Sequence, residues 1–324
     1  MTLEEAIAKI KPLDHNAMEI AQKRWDSIAK PLHSLGKLET LLIQIAGITG
    51  NAEVDLSRRG LIAMCADNGV VEEGVTQTGQ EVTAIVAENF LKYDTSVGVM
   101  CKQNHAEIFP VDMGMVTDTK VRTDHKIAYG TQNMTKGPAM TREQAVKGLE
   151  AGIDMVRELN DKGYRILATG EMGIGNTTTS SAVASVLLKQ PVEEMTGRGA
   201  GLTSEGLVRK INAIKKAITL NKPDPEDAID VLAKVGGLDI AGMAGVFLGG
   251  AVYGIPVVMD GFISCVSALI AMRICPAARD YILASHVSKE PAAHLILENM
   301  GKEAIIHADM CLGEGTGAVA LFPI

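Results

Sequence analysis

The chain has 324 residues and a formal net charge of −8, with 47% hydrophobic residues, 33 glycines and only 3% aromatic residues. A chain of this length can bury a large core, and two lobes of unequal size are typical. The acidic balance argues against a nucleic-acid-binding protein, which would show a basic stripe. The abundance of Ala, Val, Ile, Leu, Met and Gly favours a buried parallel sheet packed by close-fitting helices.

The first fifty residues predict three helices. "LEEAIAKI" stops before Pro12, "NAMEIAQKRWDSIAK" stops before Pro31, and "GKLETLLIQIAGITG" ends on Gly50, a residue type that often terminates helices. The start of the chain is acidic and amphipathic, unlike a secretory signal peptide. We therefore expect a cytoplasmic protein with buried, reduced thiols at its five scattered cysteines, which are Cys65, Cys101, Cys265, Cys275 and Cys311.

From about residue 56, short apolar runs alternate with helical segments. Five of these runs predict strands: "GLIAMCAD", "AEIFPVDMG", "YRILATGE", "IPVVMD" and "YILAS". Strands that alternate with helices are typical of βαβ units. The prediction is an α/β fold, with a doubly wound, mostly parallel sheet and helices on both of its faces.

Residues 240–272 carry a single charged side chain and raise the alternative of a membrane-embedded carrier. Several glycines interrupt the run, and Asp260 in its middle would be costly in lipid. The segment instead predicts a buried glycine-rich helix (Ile240–Tyr253), a strand (Ile255–Met259) and a helix that starts at Phe262.

The predicted strands end in polar residues: Asp67, Asp112, Glu171, Asp260 and the pair Ser285–His286. In open α/β sheets, ligands bind outside the carboxyl ends of the strands. The five ends together therefore predict a crevice lined by these side chains. The alternative for each acid is that it only caps the helix that follows.

The stretch Gly170–Thr177 reads G-E-M-G-I-G-N-T, which has the spacing of a phosphate-binding P-loop with Asn176 in place of the lysine. A glycine-rich turn that opens a helix binds anions through its backbone N–H groups and the helix dipole. Without the lysine, a nucleoside triphosphate is disfavoured, and a single ribose phosphate fits better. The residues expected to bind it are Gly173, Ile174, Gly175, Asn176 and Thr177, with Glu171 accepting hydrogen bonds from ribose hydroxyls. A turn without any ligand is the alternative.

Near the end of the chain, Glu314 stands between two glycines in "LGEGTGA". An acid on a glycine-flanked turn suits a general base or a ligand-binding carboxylate. The alternative is an acid in the first turn of a terminal helix, where acids are common.

The histidines give a weak metal signal. His286, Glu290 and His294 are spaced by four residues, which would place them on one face of a helix. Pro291, however, predicts that the helix starts after Glu290 and leaves His286 in the preceding loop. No metal site is predicted, and neither H-E-x-x-H nor G-x-S-x-G occurs.

Taken together, these segments resemble one family, the nicotinate-nucleotide–dimethylbenzimidazole phosphoribosyltransferases of cobalamin lower-ligand synthesis. The resemblance covers nearly the whole chain: "ADNGVVEEGVTQTGQEVT", "GEMGIGNTTTSSA", "TGRGAGL", "VGGLDIAGMAGVFLGGA", "IPVVMDGFISCVSALIA" and "LGEGTGAVALFPI". It implies transfer of a phosphoribosyl group from nicotinate mononucleotide to a benzimidazole nitrogen, with inversion at C1′. The products would be nicotinate and α-ribazole 5′-phosphate, and no cofactor is implied.

The resemblance also implies a homodimer, and from the charge and the 240–272 segment neither a nucleic-acid nor a membrane partner is predicted. Each subunit would have a large Rossmann-like catalytic domain over residues 56–301. A small, mainly helical domain would be built from both chain ends, residues 1–55 and 302–324, and the second of these segments would carry the catalytic glutamate.

The resemblance assigns roles to individual residues. Glu314 matches the general base of the family, and Lys210 matches a lysine that helps to bind the phosphate. Glu171 would stabilise an oxocarbenium-like transition state. The residues expected near the acceptor base are Thr76, Gln77, Gln80 and Leu312. Further candidates for the lining of the site are Asp67, Asp239, Asp260 and Ser288.

The chain departs from the common family pattern in three places. Asn68 stands where a histidine is usual, "TQTGQ" (residues 76–80) lacks an aromatic residue, and Ala292–Ala293 replace a glycine before the histidine. These changes leave the identity of the acceptor open among dimethylbenzimidazole, 5-methoxybenzimidazole, adenine and a phenol. A non-catalytic nucleotide-binding module on the same fold is the alternative from a different class.

Overall fold

The computed structural model covers all 324 residues and begins with three helices, α1 (Leu3–Ile7), α2 (His15–Ser27) and α3 (Lys37–Thr49). Each of them matches a helix predicted from the sequence. The side chain of Asp14 caps α2 by accepting the backbone N–H of Ala17 at 2.9 Å. Gly50 ends α3 in the left-handed conformation, as its residue type indicated.

The centre of the fold is a sheet of five parallel strands in the order β2-β1-β3-β4-β5. The strands are β1 (Arg59–Ala66), β2 (Ala106–Gly114), β3 (Ile166–Met172), β4 (Val257–Met259) and β5 (Ile282–Ala284). Each corresponds to one of the five predicted runs, although β4 is two residues shorter than predicted. The α/β fold with a parallel sheet is confirmed.

Eleven further helices connect and cover the strands. They are α4 (Glu81–Lys92), α5 (Ser96–Gln103), α6 (Arg142–Asp161), α7 (Asn176–Leu188), α8 (Val192–Met195), α9 (Ser204–Asn221), α10 (Ala228–Val235), α11 (Leu238–Tyr253), α12 (Phe262–Ile274), α13 (Ala293–Asn299) and α14 (Thr316–Leu321). Helix α11 packs on β1, β2 and β3 and is covered by α6 and α12. Helices α4, α5 and α14 also pack on the strands.

The glycine-rich segment has a packing role inside the fold. Where α11 crosses α6, a methyl group on Gly245 would overlap the carbonyl of Leu149, and one on Gly152 would overlap the carbonyl of Gly242. The two helices can approach this closely only because these positions lack a side chain. None of the helices in the structure is both long and apolar enough to cross a membrane.

The two ends of the chain meet near α3. Lys37 forms an ion pair with Glu303 at 2.9 Å, and the Tyr281 hydroxyl donates to the carbonyl of Lys11 at 2.7 Å. Helix α14, in contrast, packs on α5, β3 and β4 of the large sheet. One hydrophobic core includes Leu3 and Ile48 together with the strands. The division at residues 55 and 302 stays a prediction.

Candidate active site

A cavity of about 350 Å³ opens at the carboxyl ends of β3, β4 and β5. It is lined by residues of six segments, which lie within 75–78, 171–177, 198–202, 260–264, 286–290 and 311–314, and by Val86 of α4. In a sheet of order 2-1-3-4-5 the direction of winding reverses between β1 and β3, and ligands bind at such a switch point. Residues 75–78, in the segment that follows β1, and residues 171–177, at the end of β3, both line the cavity, which therefore borders this switch point.

The polar strand ends divide into two groups. Glu171, Asp260 and His286 line the cavity, as the strand ends suggested. Asp67 and Asp112 do not. The Asp67 carboxylate accepts the N–H of Val116 at 2.8 Å, while Asp112 accepts that of Met115 at 2.8 Å and pairs with Lys126 at 3.1 Å. These two acids hold the loop after β2, which is the structural alternative for such residues.

The glycine turn between β3 and α7 has the form of an anion site. Gly175 precedes α7 with φ of +95°, and the backbone N–H groups of Gly175 and Thr177 have no acceptor in the protein. The N–H of Ile174 differs, because it donates to the Thr83 hydroxyl at 3.1 Å. A phosphate at this turn would thus meet two free N–H groups and the positive end of the α7 dipole.

Lys210 of α9 lies behind this turn and not on the cavity wall. Its side chain is fully buried, and Nζ donates to the Thr177 hydroxyl at 2.8 Å and to the carbonyl of Gly197 at 3.1 Å. Burial lowers the pKa of Lys210 to about 8, and the charge of Glu290 acts in the opposite direction. Lys210 can therefore supply positive charge to a bound phosphate through Thr177.

Two charged residues that line the cavity were not among the predicted substrate-binding residues. Arg198 lies in the loop that precedes α9 and donates to the carbonyl of Leu202 at 2.7 Å. Glu290 accepts the N–H of Gly199 at 3.1 Å. Arg198 is the one cation in the segment "TGRGAGL", and a cation within a glycine-rich loop is the signal that could have identified it.

Glu314 is held on a strained turn. Gly313, Glu314 and Gly315 all have positive φ, at +93°, +61° and +98°, a conformation that costs energy at Glu314. Oε2 of Glu314 accepts the N–H of Val97 in the first turn of α5 at 3.1 Å. Burial raises the pKa of Glu314, whereas this hydrogen bond acts to lower it. The turn presents a half-buried carboxylate of raised basicity to the cavity, which suits a general base.

Three polar side chains form a buried network below Glu314. The Asn176 amide donates to Glu171 Oε2 and, at 3.0 Å, to Asp239 Oδ2. Oε1 of Glu171 accepts the backbone N–H of Glu314 at 3.3 Å. Burial, reinforced by the charge of Asp239, raises the pKa of Glu171 to about 8, and burial raises that of Asp239 to about 7. Asp239 contacts the site through Asn176 and does not line the cavity.

Asp260, at the end of β4, binds the other side of the same turn. Its carboxylate accepts the N–H groups of Gly315, Gly317 and Ala318. Burial raises the pKa of Asp260, while the neighbouring His286 and the N–H groups of Gly261, Gly317 and Ala318 act to lower it. Burial lowers the pKa of His286. Two buried carboxylates, Glu171 and Asp260, therefore fix the backbone around Glu314.

A family model described as "Phosphoribosyltransferase" matches residues 10–324. The chain belongs to this phosphoribosyltransferase family. It is 52% identical over 326 residues to the nicotinate-nucleotide–dimethylbenzimidazole phosphoribosyltransferase of Ruminiclostridium cellulolyticum, and the match covers 100% of this chain and 93% of that protein. The protein of the same name from Clostridium acetobutylicum is 50% identical, with the same coverage of both chains.

A solved structure of a nicotinate-nucleotide–dimethylbenzimidazole phosphoribosyltransferase from Thermus thermophilus has the same fold. It superimposes with a TM-score of 0.89 at 36% identity, covering 96% of this chain and 93% of that one. The family resemblance read from the sequence motifs is thereby confirmed.

In this phosphoribosyltransferase, the lining of the cavity is suited to an aromatic base. Apolar side chains of Val75, Val86, Phe262 and Leu312 contribute to it, with polar groups from Thr76, Gln77, Thr78 and Ser288. The Gln77 amide donates to the carbonyl of Gly201 across the cavity mouth. Gln80 does not line the cavity, because its amide turns inward and donates to the carbonyl of Asn68 at 3.3 Å.

The three residues considered for a metal site have separate partners, and that of His286 is the Ser285 hydroxyl, 3.1 Å from Nδ1. Glu290 binds the N–H of Gly199, and His294 lies on the surface beside Glu298 at 3.3 Å. Elsewhere, Asp124, His125 and Glu158 lie close enough to share an ion. The Arg122 guanidinium already binds both acids of that group, which explains the cluster without a metal.

Proposed function

We propose that this phosphoribosyltransferase transfers the 5-phosphoribosyl group of nicotinate mononucleotide to a benzimidazole-type base. The observation that carries the proposal is that Glu314 and the free N–H groups of the α7 turn border the same cavity. A phosphate anchor and a general base are the two elements that such a transfer needs. The curated relatives bear the name of this reaction.

The phosphate of the nucleotide would bind the N–H groups of Gly175 and Thr177, with charge support from Lys210. This anchor places the ribose in the cavity. The buried network of Glu171 and Asp239 lies next to it, and its negative charge would stabilise the positive charge that develops at C1′ in an oxocarbenium-like transition state. Burial and the charge of Asp239 raise the pKa of Glu171 to about 8, so a proton held by this pair could also be donated to a ribose hydroxyl.

The transfer step exchanges one C–N bond for another. The unprotonated ring nitrogen of the base attacks C1′ on the face opposite the nicotinate, the C1′–N bond to nicotinate breaks, and the configuration changes from β to α. The Glu314 carboxylate takes the proton from the other ring nitrogen. Nicotinate and α-ribazole 5′-phosphate are the products when the base is dimethylbenzimidazole.

The test is a product assay with the purified full-length protein. Nicotinate release from nicotinate mononucleotide is followed by chromatography with dimethylbenzimidazole, 5-methoxybenzimidazole, adenine or a phenol, and with no base. Release that requires one of these acceptors supports the transfer and identifies the acceptor. A protein that binds the nucleotide but releases no nicotinate with any base contradicts the proposal and favours a binding module.

We propose in addition that the enzyme is a homodimer. The connection between α2 and α3 exposes apolar side chains at Ile28, Leu32 and Leu35, which a second subunit could cover. Sedimentation equilibrium measures the mass directly. A mass of one chain at micromolar concentration would contradict the proposal.

A reducing compartment, and hence a cytoplasmic location, is proposed from the cysteines. All five are free, and four of them are buried as predicted, whereas Cys311 is exposed, contrary to the prediction. Fractionation of the source cells, followed by immunodetection, tests the location. Recovery of the protein outside the cytoplasm would contradict it.

A further inference from the structure

Asp260 and Glu314 are 54 positions apart in the chain but meet at one turn. Oδ2 of Asp260 accepts the N–H of Gly315 at 3.1 Å, and Oδ1 accepts those of Gly317 at 2.7 Å and Ala318 at 3.2 Å. These are N–H groups at the start of α14, where a capping side chain normally accepts them. Gly315 occupies the N-cap position and has no side chain, so Asp260 serves as the cap from another element.

The surroundings leave Asp260 little freedom. The residue is 3% exposed, and its backbone N–H donates to the Ser264 hydroxyl at 3.0 Å. His286 Nδ1 lies 3.9 Å from Oδ1, and the His286 ring packs so closely on Gly317 that any side chain there would overlap it. The other charged groups that influence this site are Glu171 and Glu314. The Asp260 carboxylate therefore has a fixed position and can hold the backbone of the turn in place.

The backbone of Glu314 is strained and therefore has to be held in place by neighbouring groups. Glu314 has a φ of +61° and stands between two glycines, which on their own would allow the turn many conformations. Glu171 fixes the N–H of Glu314 at 3.3 Å, on one side of the residue. The three hydrogen bonds to Asp260 fix the backbone on the other side, and together the two carboxylates set the direction of the Glu314 side chain.

We propose that Asp260 is a positioning residue for the transfer reaction, which it supports by holding the Glu314 turn at the angle needed for proton removal from the acceptor base. The inference rests on the proposed function. A positioning role differs from a general stabilising role because a change at Asp260 then alters the rate only through the Glu314 carboxylate.

The experiment is a double-mutant cycle with Asp260→Asn and Glu314→Gln, measured as nicotinate release with the active base. Asp260→Asn should lower kcat about 10- to 100-fold, the loss typical of a catalytic group displaced by about 1 Å, with KM for nicotinate mononucleotide nearly unchanged. In the Glu314→Gln background, which retains a slow rate because the attacking nitrogen is unprotonated, Asp260→Asn should lower kcat less than threefold. Equal losses in both backgrounds would overturn the proposal.

Asp112→Asn is the matched control, since Asp112 is also a buried acid at the end of a strand, β2, and it binds a backbone N–H outside the cavity. It should leave kcat unchanged. If Asp260→Asn does not fold, Ser264→Ala replaces it, because it frees the backbone of Asp260, and the same criterion applies. Absence of nicotinate release from the unmodified protein would instead refute the proposed function, so the two failures are distinguishable.

Discussion

Glu171 and Asp239 share one amide group, since the Asn176 side chain donates to a carboxylate oxygen of each. Both acids are buried at the end of the sheet, and the charge of one raises the pKa of the other. Such a pair retains a proton at pH values where separate carboxyl groups are ionised. This arrangement places a hydrogen-bond donor and a negative charge beside the ribose site at neutral pH.

The pair makes the stability of the protein depend on pH. The pKa values of about 8 and 7 in the folded state lie above the ordinary carboxyl values, so the folded protein keeps protons that the unfolded chain has released. The free energy of unfolding should therefore fall as pH rises from about 5 to 8, by at most about 1.4 kcal/mol per pH unit for each proton. Urea denaturation at four pH values measures this slope, and Glu171→Gln should reduce it. An unchanged slope in that variant would contradict the assignment.

Substitution of the general base should separate chemistry from binding. Glu314→Gln keeps the size of the side chain and its contact with Val97 but removes the proton acceptor, so kcat should fall about 100-fold or more. The dissociation constant of nicotinate mononucleotide, measured by calorimetry, should change less than threefold. In the unmodified enzyme kcat should decline as pH falls through the raised pKa of Glu314, and the variant should lack this decline. A fully active variant would rule out the role.

Lys210 should act on nucleotide binding. Lys210→Met keeps most of the buried volume and removes the charge behind Thr177, so nicotinate mononucleotide should bind about 10-fold more weakly or worse, while the free base binds as before. Because the pKa of Lys210 is about 8, nucleotide affinity should also fall as pH rises above 8 in the unmodified protein. Lys215→Met on the exposed side of α9 is the control and should leave both affinities unchanged. Equal affinities in the two variants would remove Lys210 from the phosphate site.

The sequence was sufficient to predict the five strands and the cavity-forming turns, because these depend on local patterns of apolar residues and glycines. The sequence did not reveal which of the polar residues at the strand ends line the cavity. Asp67 and Asp260 both follow a strand, yet one holds the loop at Val116 and the other binds the turn of Glu314. That difference depends on contacts between segments far apart in the chain, which no local pattern encodes. The same is true of Lys210, whose burial behind Thr177 follows from the placement of α9.

Gln77 and Gln80 provide a final test of the structure against the sequence, which predicted both near the acceptor base. Gln77 lies at the cavity mouth, whereas the amide of Gln80 binds the carbonyl of Asn68. Gln77→Ala should therefore raise KM for the base about 3- to 10-fold, the loss of roughly one hydrogen bond, without changing KM for nicotinate mononucleotide. Gln80→Ala should leave KM for the base unchanged and lower the melting temperature by a few degrees. The reverse pattern would show that the loop of residues 76–80 adopts another conformation when the base is bound.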